Sequence, residues 1–109
     1  MPNNPGLPPG TLVMLILRVL RPGALHGYAI AQRIRQLSSE QLSVEEGSLY
    51  PALQKLLAHG WVKAEWTTSE SGREVRNYKL TTKGLKQLDS EQYDYQRMAD
   101  AIAAILQSA

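Results

Sequence analysis

A mainly α-helical chain, with a small β-hairpin ahead of a long final helix, is the architecture that the 109-residue sequence predicts. Three observations predict it. Apolar residues recur at steps of three and four through about 11–21, 26–37 and 43–58, the repeat of helices that each bury a face. At Trp61 the period drops to two, with "WVKAEWT" and "REVRNYKL" alternating on either side of a polar "TSESGR". The helical spacing then returns at Leu85 and persists almost to the last residue.

Residues 1–9 hold four prolines and two asparagines, which predicts an extended or flexible arm. Thr11 is placed to cap a first helix, about 11 to 21, that is apolar nearly all round. Such a helix buries more than one side, one against its own core and one against a partner subunit. "RPG" at 21–23 stops it, because Pro22 cannot continue the hydrogen-bond ladder. The second helix, about 26 to 37, sets Ile30, Ile34 and Leu37 against Gln32, Arg33 and Arg35.

Ser43 and Glu46 have the spacing of a capping box for the third helix, which ends near residue 58 with Gly60 as its C′ residue. Pro51 then lies about two turns in. That predicts either a kink near Gly47 or a late start at about Ser48. In the hairpin, Trp61, Ala64 and Trp66 compete for the buried side of the first strand, and Val75, Asn77 or Tyr78, and Leu80 for that of the second. Thr81 or Thr82 caps the last helix.

The order α-α-α-β-β-α is that of a winged helix-turn-helix: two helices joined by a short turn, then a two-stranded wing. Residues 10–81 form the winged unit and 82–109 a dimerisation helix within the same compact body. The last helix carries a heptad seam of Leu85, Leu88, Gln92, Tyr95, Ala99, Ile102 and Leu106. Leu15 on the first helix joins Leu88, Tyr95, Ala99, Ile102 and Leu106 as the expected dimer surface.

Composition narrows the function. The absence of cysteine excludes thiolate catalysis, disulfides and Cys-ligated zinc, and the two histidines stand in no metal-ligand spacing. No Gly-rich phosphate loop, nucleophile triad or carboxylate pair is present, so neither an enzyme nor a cofactor is expected. No apolar run reaches the ~20 residues of a membrane span, and the first residues lack a signal-peptide pattern, which makes the cytoplasm the default compartment. Residues 1–86 carry eleven Lys/Arg against six Asp/Glu, whereas 87–109 carry one against four. A basic body with an acidic tail suits a polyanion-binding surface set apart from another working part.

"TLVMLILRVL", "HGYAIAQRI", "GSLYPALQKLLAHGWV" and "GREVRNYKLTTKG", followed by one last helix, resemble the PadR-like transcriptional regulators over about residues 10–107. "HGY" some twenty residues ahead of "LYPAL" is the specific part. The single terminal helix is similar to the short subgroup, in which that helix builds the dimer. The resemblance implies a homodimeric, DNA-binding repressor with half-sites about one helical turn apart.

On the third helix, Ser48, Tyr50, Pro51, Gln54 and Lys55 oppose the leucines. Gln54 and Lys55 suit base edges, whereas Ser48 and Tyr50 suit backbone phosphates. His26, Gly27 and Tyr28 open the second helix, where Tyr28 either packs or touches phosphate. Arg73 and Arg76, with Lys79 and Lys63 nearby, make the wing a candidate for the backbone or minor groove, and Arg73 is the foremost of them. Tyr95 stands where the family commonly has Trp. The resemblance gives it two readings: packing in the dimer core, or lining with Met98 a pocket for a small flat aromatic effector. The modest charge, with Glu70 and Glu74 in the wing, motivates an alternative from another class, a winged-helix protein-interaction module without DNA binding.

Overall fold

The computed structural model describes Leu7 and residues 10–109; apart from Leu7, the arm expected over 1–9 lies outside the described residues. The elements run α1 (Thr11–Val19), β1 (Leu25–His26), α2 (Gly27–Leu37), α3 (Glu46–Ala58), β2 (Val62–Thr68), β3 (Glu74–Leu80) and α4 (Thr82–Leu106). The winged helix-turn-helix order is therefore present, with one addition. β1 pairs antiparallel with β3, Leu25 opposite Tyr78 and His26 opposite Asn77, so the sheet has three strands in the order β1-β3-β2.

The core is a single apolar cluster. Ile16 and Leu17 of α1, Leu20 just after it, Ile30 of α2, Leu49, Leu53 and Leu56 of α3, and Leu88 of α4 are its fully buried side chains. Val62 and Tyr78 close it from the sheet, and among the described residues no polar or charged residue is buried with them. Such a core needs no internal hydrogen bonding of side chains, so its stability rests on area and close packing.

Helix ends depart from expectation in three places. α1 is entered from Gly10, at φ 84°, with no side-chain cap, and Thr11 is its first helical residue rather than its cap. It ends at Val19, two residues early, because Pro22 disfavours helical geometry at Arg21. α3 starts at Glu46 behind Glu45, whose side chain makes no cap bond, so the helix begins two residues later than a cap at Ser43 would place it. Pro51 is then the sixth helical residue, in the second turn rather than the first. It withholds one hydrogen bond from the carbonyl of Gly47, which is exposed and can meet solvent.

Two ends follow the sequence signals. At the end of α3, the Trp61 N–H reaches the Leu56 carbonyl at 3.0 Å and the Gly60 N–H the Leu57 carbonyl at 3.0 Å, with Gly60 at φ 73°. This is a Schellman motif with glycine in the left-handed position. Thr81 caps α4 by accepting from the Gly84 N–H at 3.0 Å, while its own hydroxyl faces the Gly60 and Trp61 carbonyls.

α1 is sheathed mostly by its own chain. Val13, Met14, Ile16, Leu17 and Val19 are buried, whereas Leu12 and Leu15 remain half-open. Leu88 is 0% exposed in this single chain, so it belongs to the protomer core and is not available to the dimer seam expected from the heptad. Beyond it no residue of α4 is buried, and Tyr93, Tyr95, Met98, Ile102, Ile105 and Leu106 are all exposed.

Candidate nucleic-acid interface

Leu49, Leu53 and Leu56 tie α3 to the core and leave Ser48, Tyr50, Pro51, Gln54 and Lys55 on the exposed side. All five expected contact residues of this helix thus share one open face. It offers a hydroxyl, a phenol, an amide and an ammonium group, which between them donate to phosphate and read base edges.

β1 brings the start of α2 beside this face. Pairing with β3 holds Leu25 and His26 extended, and the chain turns helical at Gly27. His26 is the N-cap, its Nδ1 accepting from the Ala29 N–H at 3.4 Å. Gly27 is buried beneath Tyr50: a Cβ there would stand 3.1 Å from the Tyr50 hydroxyl oxygen. Tyr28, one residue on, is exposed. The first turn of a helix leaves N–H groups unpaired within the helix and carries partial positive charge, which suits an anion.

The hairpin forms the opposite wall. In register, Val62, Ala64, Trp66 and Thr68 of β2 face Leu80, Tyr78, Arg76 and Glu74 of β3. Directly paired residues share a face, so these eight make the inner side of the wing. Near the body that side is core, with Val62 and Tyr78 buried. Toward the tip it overhangs a cleft of about 400 Å³ lined by His26, Gly27, Tyr28, Tyr50, Gln54, Trp66, Glu74, Val75, Arg76 and Tyr78.

Trp66 is therefore not a core residue. The alternation placed it correctly on the face of Val62 and Ala64, but that face has left the core by residue 66, and the indole is 66% exposed. Arg76 reaches into the cleft, its guanidinium carbon 5.8 Å from the centroid of the Tyr78 ring. Arg73 stands exposed at the tip and does not line the cleft, so Arg76 is the better-placed of the two. Lys63 and Lys79 lie opposite each other on the outer face, pointing away from α3. Neither β1 nor the Trp66 wall was readable from periodicity; the one available signal for Trp66 was that strands of this length outrun so small a body.

The remaining site residues lie far from this face. Tyr95 lines a shallow hollow of about 200 Å³ with Gly10, Thr11, Met14, Glu91 and Asp94, whereas Met98 faces open solvent and does not line it. Among the described residues there is no His/Cys/Asp/Glu group able to hold a metal, and no helix long and apolar enough to cross a membrane.

Three packed helices, a hairpin wing and an open polar face on the helix before it define a winged helix-turn-helix protein. The chain belongs to the PadR-like family of transcriptional regulators, which matches residues 16–90. It is 32% identical over 73 residues to the negative transcriptional regulator PadR of Bacillus subtilis, covering 67% of this chain and 40% of that protein. It is 38% identical over 89 residues to an uncharacterized 37.1 kDa protein in a Streptomyces fradiae transposon, covering 82% of this chain and 24% of that one. The chain thus spans well under half the length of either curated relative.

Among solved structures, a PadR family transcriptional regulator from Eggerthella lenta superposes with a TM-score of 0.76 at 29% identity, covering 92% of this chain and 85% of the other. A transcriptional regulator from Clostridium thermocellum shares the fold, with a TM-score of 0.82 at 24% identity over 90% and 95% of the two chains. Bacillus subtilis PadR in complex with operator DNA superposes with a TM-score of 0.68 at 29% identity, over 75% of this chain and 47% of that one.

Proposed function

We propose that the protein is a transcriptional repressor that binds an operator as a homodimer, placing one α3 in each of two major grooves. The open face of Ser48, Tyr50, Pro51, Gln54 and Lys55, held outward by the buried leucines of the same helix, carries this reading. Gln54 and Lys55 read bases; Ser48, Tyr50 and Tyr28 fix the backbone, with Arg76 and Arg73 adding charge from the wing. The operator complex of Bacillus subtilis PadR, a related chain, supports it.

The dimer uses residues 82–109. Past Leu88, α4 exposes Tyr95, Ile102 and Leu106 on one seam, with Met98 and Ile105 beside them and Ala99 between. The other side is polar and internally paired: Gln96 donates to Asp100 at 2.9 Å, and Arg97 sits 5.7 Å from the Tyr93 ring. An exposed apolar seam on a long helix calls for a second helix. Leu15 on α1, half-open in the single chain, joins them in the proposed dimer surface. Tyr95 and Met98, brought together across such a dimer, would line the space for a flat aromatic effector. Effector binding there would change the angle between subunits and draw the two α3 helices off their spacing.

Binding rather than catalysis is the activity, and mobility-shift assays with the protein's own promoter test it. Substituting both Gln54 and Lys55 with Ala should abolish selective binding while leaving the melting temperature unchanged. Absence of salt-sensitive, sequence-selective binding to any genomic fragment sinks the proposal.

A further inference from the structure

Trp66 is the largest apolar side chain of the hairpin, and the described residues leave about two-thirds of it exposed. An indole left two-thirds exposed forgoes the burial that makes tryptophan stabilising, so its place on the inner wall of the cleft calls for an occupant. The cleft's chemistry identifies one. Tyr28 and Tyr50 bring phenols, Gln54 an amide, Arg76 a fixed guanidinium and Trp66 an indole N–H, which donates and never accepts. The same lining brings aromatic surface from Tyr28, Tyr50, Trp66 and Tyr78. Glu74, also in the wall, is the opposing charge.

A deoxyribose–phosphate strand offers a complement to both, apolar sugar for the rings and anionic phosphate for the donors. It also has the right path: with α3 in a major groove, the strand bounding that groove passes between the helix and the wing. We propose that Trp66 is a DNA-contacting residue, its ring packed on a sugar and its Nε1–H donating to a phosphate of the strand that crosses the cleft. This rests on the DNA-binding reading above and adds a neutral contact from the wing. Arg76 supplies the charge beside it, and its position over buried Tyr78 keeps it aimed there.

A mixed-sequence duplex of roughly 25 base pairs at low salt is a sufficient probe, because two half-sites a turn apart fit within it and a backbone contact does not depend on sequence. Trp66→Ala should weaken binding roughly tenfold, the worth of a hydrogen bond to a charged group. The salt dependence of the affinity should keep its slope, since the side chain is neutral, whereas Arg76→Ala should lower that slope by about one. Only two tryptophans are present, so Trp61→Phe leaves Trp66 as the sole tryptophan, and its emission, excited at a wavelength that the tyrosines do not absorb, should change on adding the duplex. Wild-type affinity in Trp66→Ala, alongside weak binding by Lys55→Ala, overturns the Trp66 contact and leaves the DNA reading standing. No duplex binding by the unsubstituted protein overturns both. Emission that follows protein dilution instead of DNA shows a second copy on the indole and also overturns the contact.

Discussion

The Tyr50 ring packs against the backbone of Gly27, so close that a Cβ at position 27 would lie 3.1 Å from its hydroxyl oxygen and 3.2 Å from Cε1. This contact sets the angle at which the exposed Tyr50 phenol, the proposed DNA contact, leaves α3, and it requires the smallest residue at the start of α2. Gly27→Ala should displace the Tyr50 ring by a few tenths of an ångström or turn it to another rotamer. Duplex affinity should fall by about fivefold, near 1 kcal/mol, as for a hydrogen bond lost to misalignment. Fluorescence anisotropy titration measures it. A loss equal to that of Tyr50→Phe would identify the hydroxyl as the group that moved.

The turn between α2 and α3 stores strain. Ser39 and Glu40 both adopt left-handed backbone, φ 52° and 64°, where side-chain-bearing residues pay about 1–2 kcal/mol each. The turn survives because the Glu40 N–H reaches the Arg35 carbonyl at 2.8 Å, and the Glu40 carboxylate meets the Arg35 guanidinium at 2.9 Å. That ion pair is exposed on both sides and adds little. Ser39→Gly should therefore stabilise the protein by about 0.5–1 kcal/mol, the strain relieved less the added freedom of the unfolded chain. Thermal melting reads the gain; an unchanged or lower Tm would show that the turn is not strained at Ser39.

At the base of the wing, Gly84 is buried where α4 leaves Thr81, and a Cβ there would collide with the Trp61 carbonyl oxygen. That oxygen also accepts from the Thr81 N–H at 3.0 Å, so it cannot move without breaking the cap of α4. Gly84→Ala should cost about 3 kcal/mol, the upper range for an overpacked site. Chemical denaturation measures it, and a loss below about 1 kcal/mol would mean the helix can lift away at small cost.

Leu88 and Ile102 belong to one heptad pattern but have different fates. Leu88→Ala should destabilise the protomer by about 2–5 kcal/mol, since the residue is fully buried in its own chain. Ile102→Asp should leave the protomer folded and dissociate the proposed dimer, since Ile102 is exposed in the single chain. Sedimentation velocity with circular dichroism separates the outcomes. A dimer in Ile102→Asp would place the subunit contact elsewhere.

Local rules carried far into this protein. Gly60 after α3, Thr81 before α4, the leucine stripe of α3 and the two-residue alternation of the wing each follow from interactions within a few residues, and each is found. So is the open polar face of α3, because a helix that buries Leu49, Leu53 and Leu56 must turn Ser48, Gln54 and Lys55 outward. The family resemblance lay in those same stretches.

What escaped depended on which element lies over which face. β1 is two residues long and has no period to read; it exists because β3 offers it a free edge. Trp66 obeys its alternation, yet only the distance from the helices makes its face a cleft wall instead of core. Leu88 and Ile102 are alike in a heptad, and only the docking of α1 on the first turns of α4 assigns one to the protomer and leaves the other open. Spacing along the chain specifies the direction in which a side chain points. Whether core, solvent or a partner waits there is set by packing between segments far apart in sequence, and no local pattern records it.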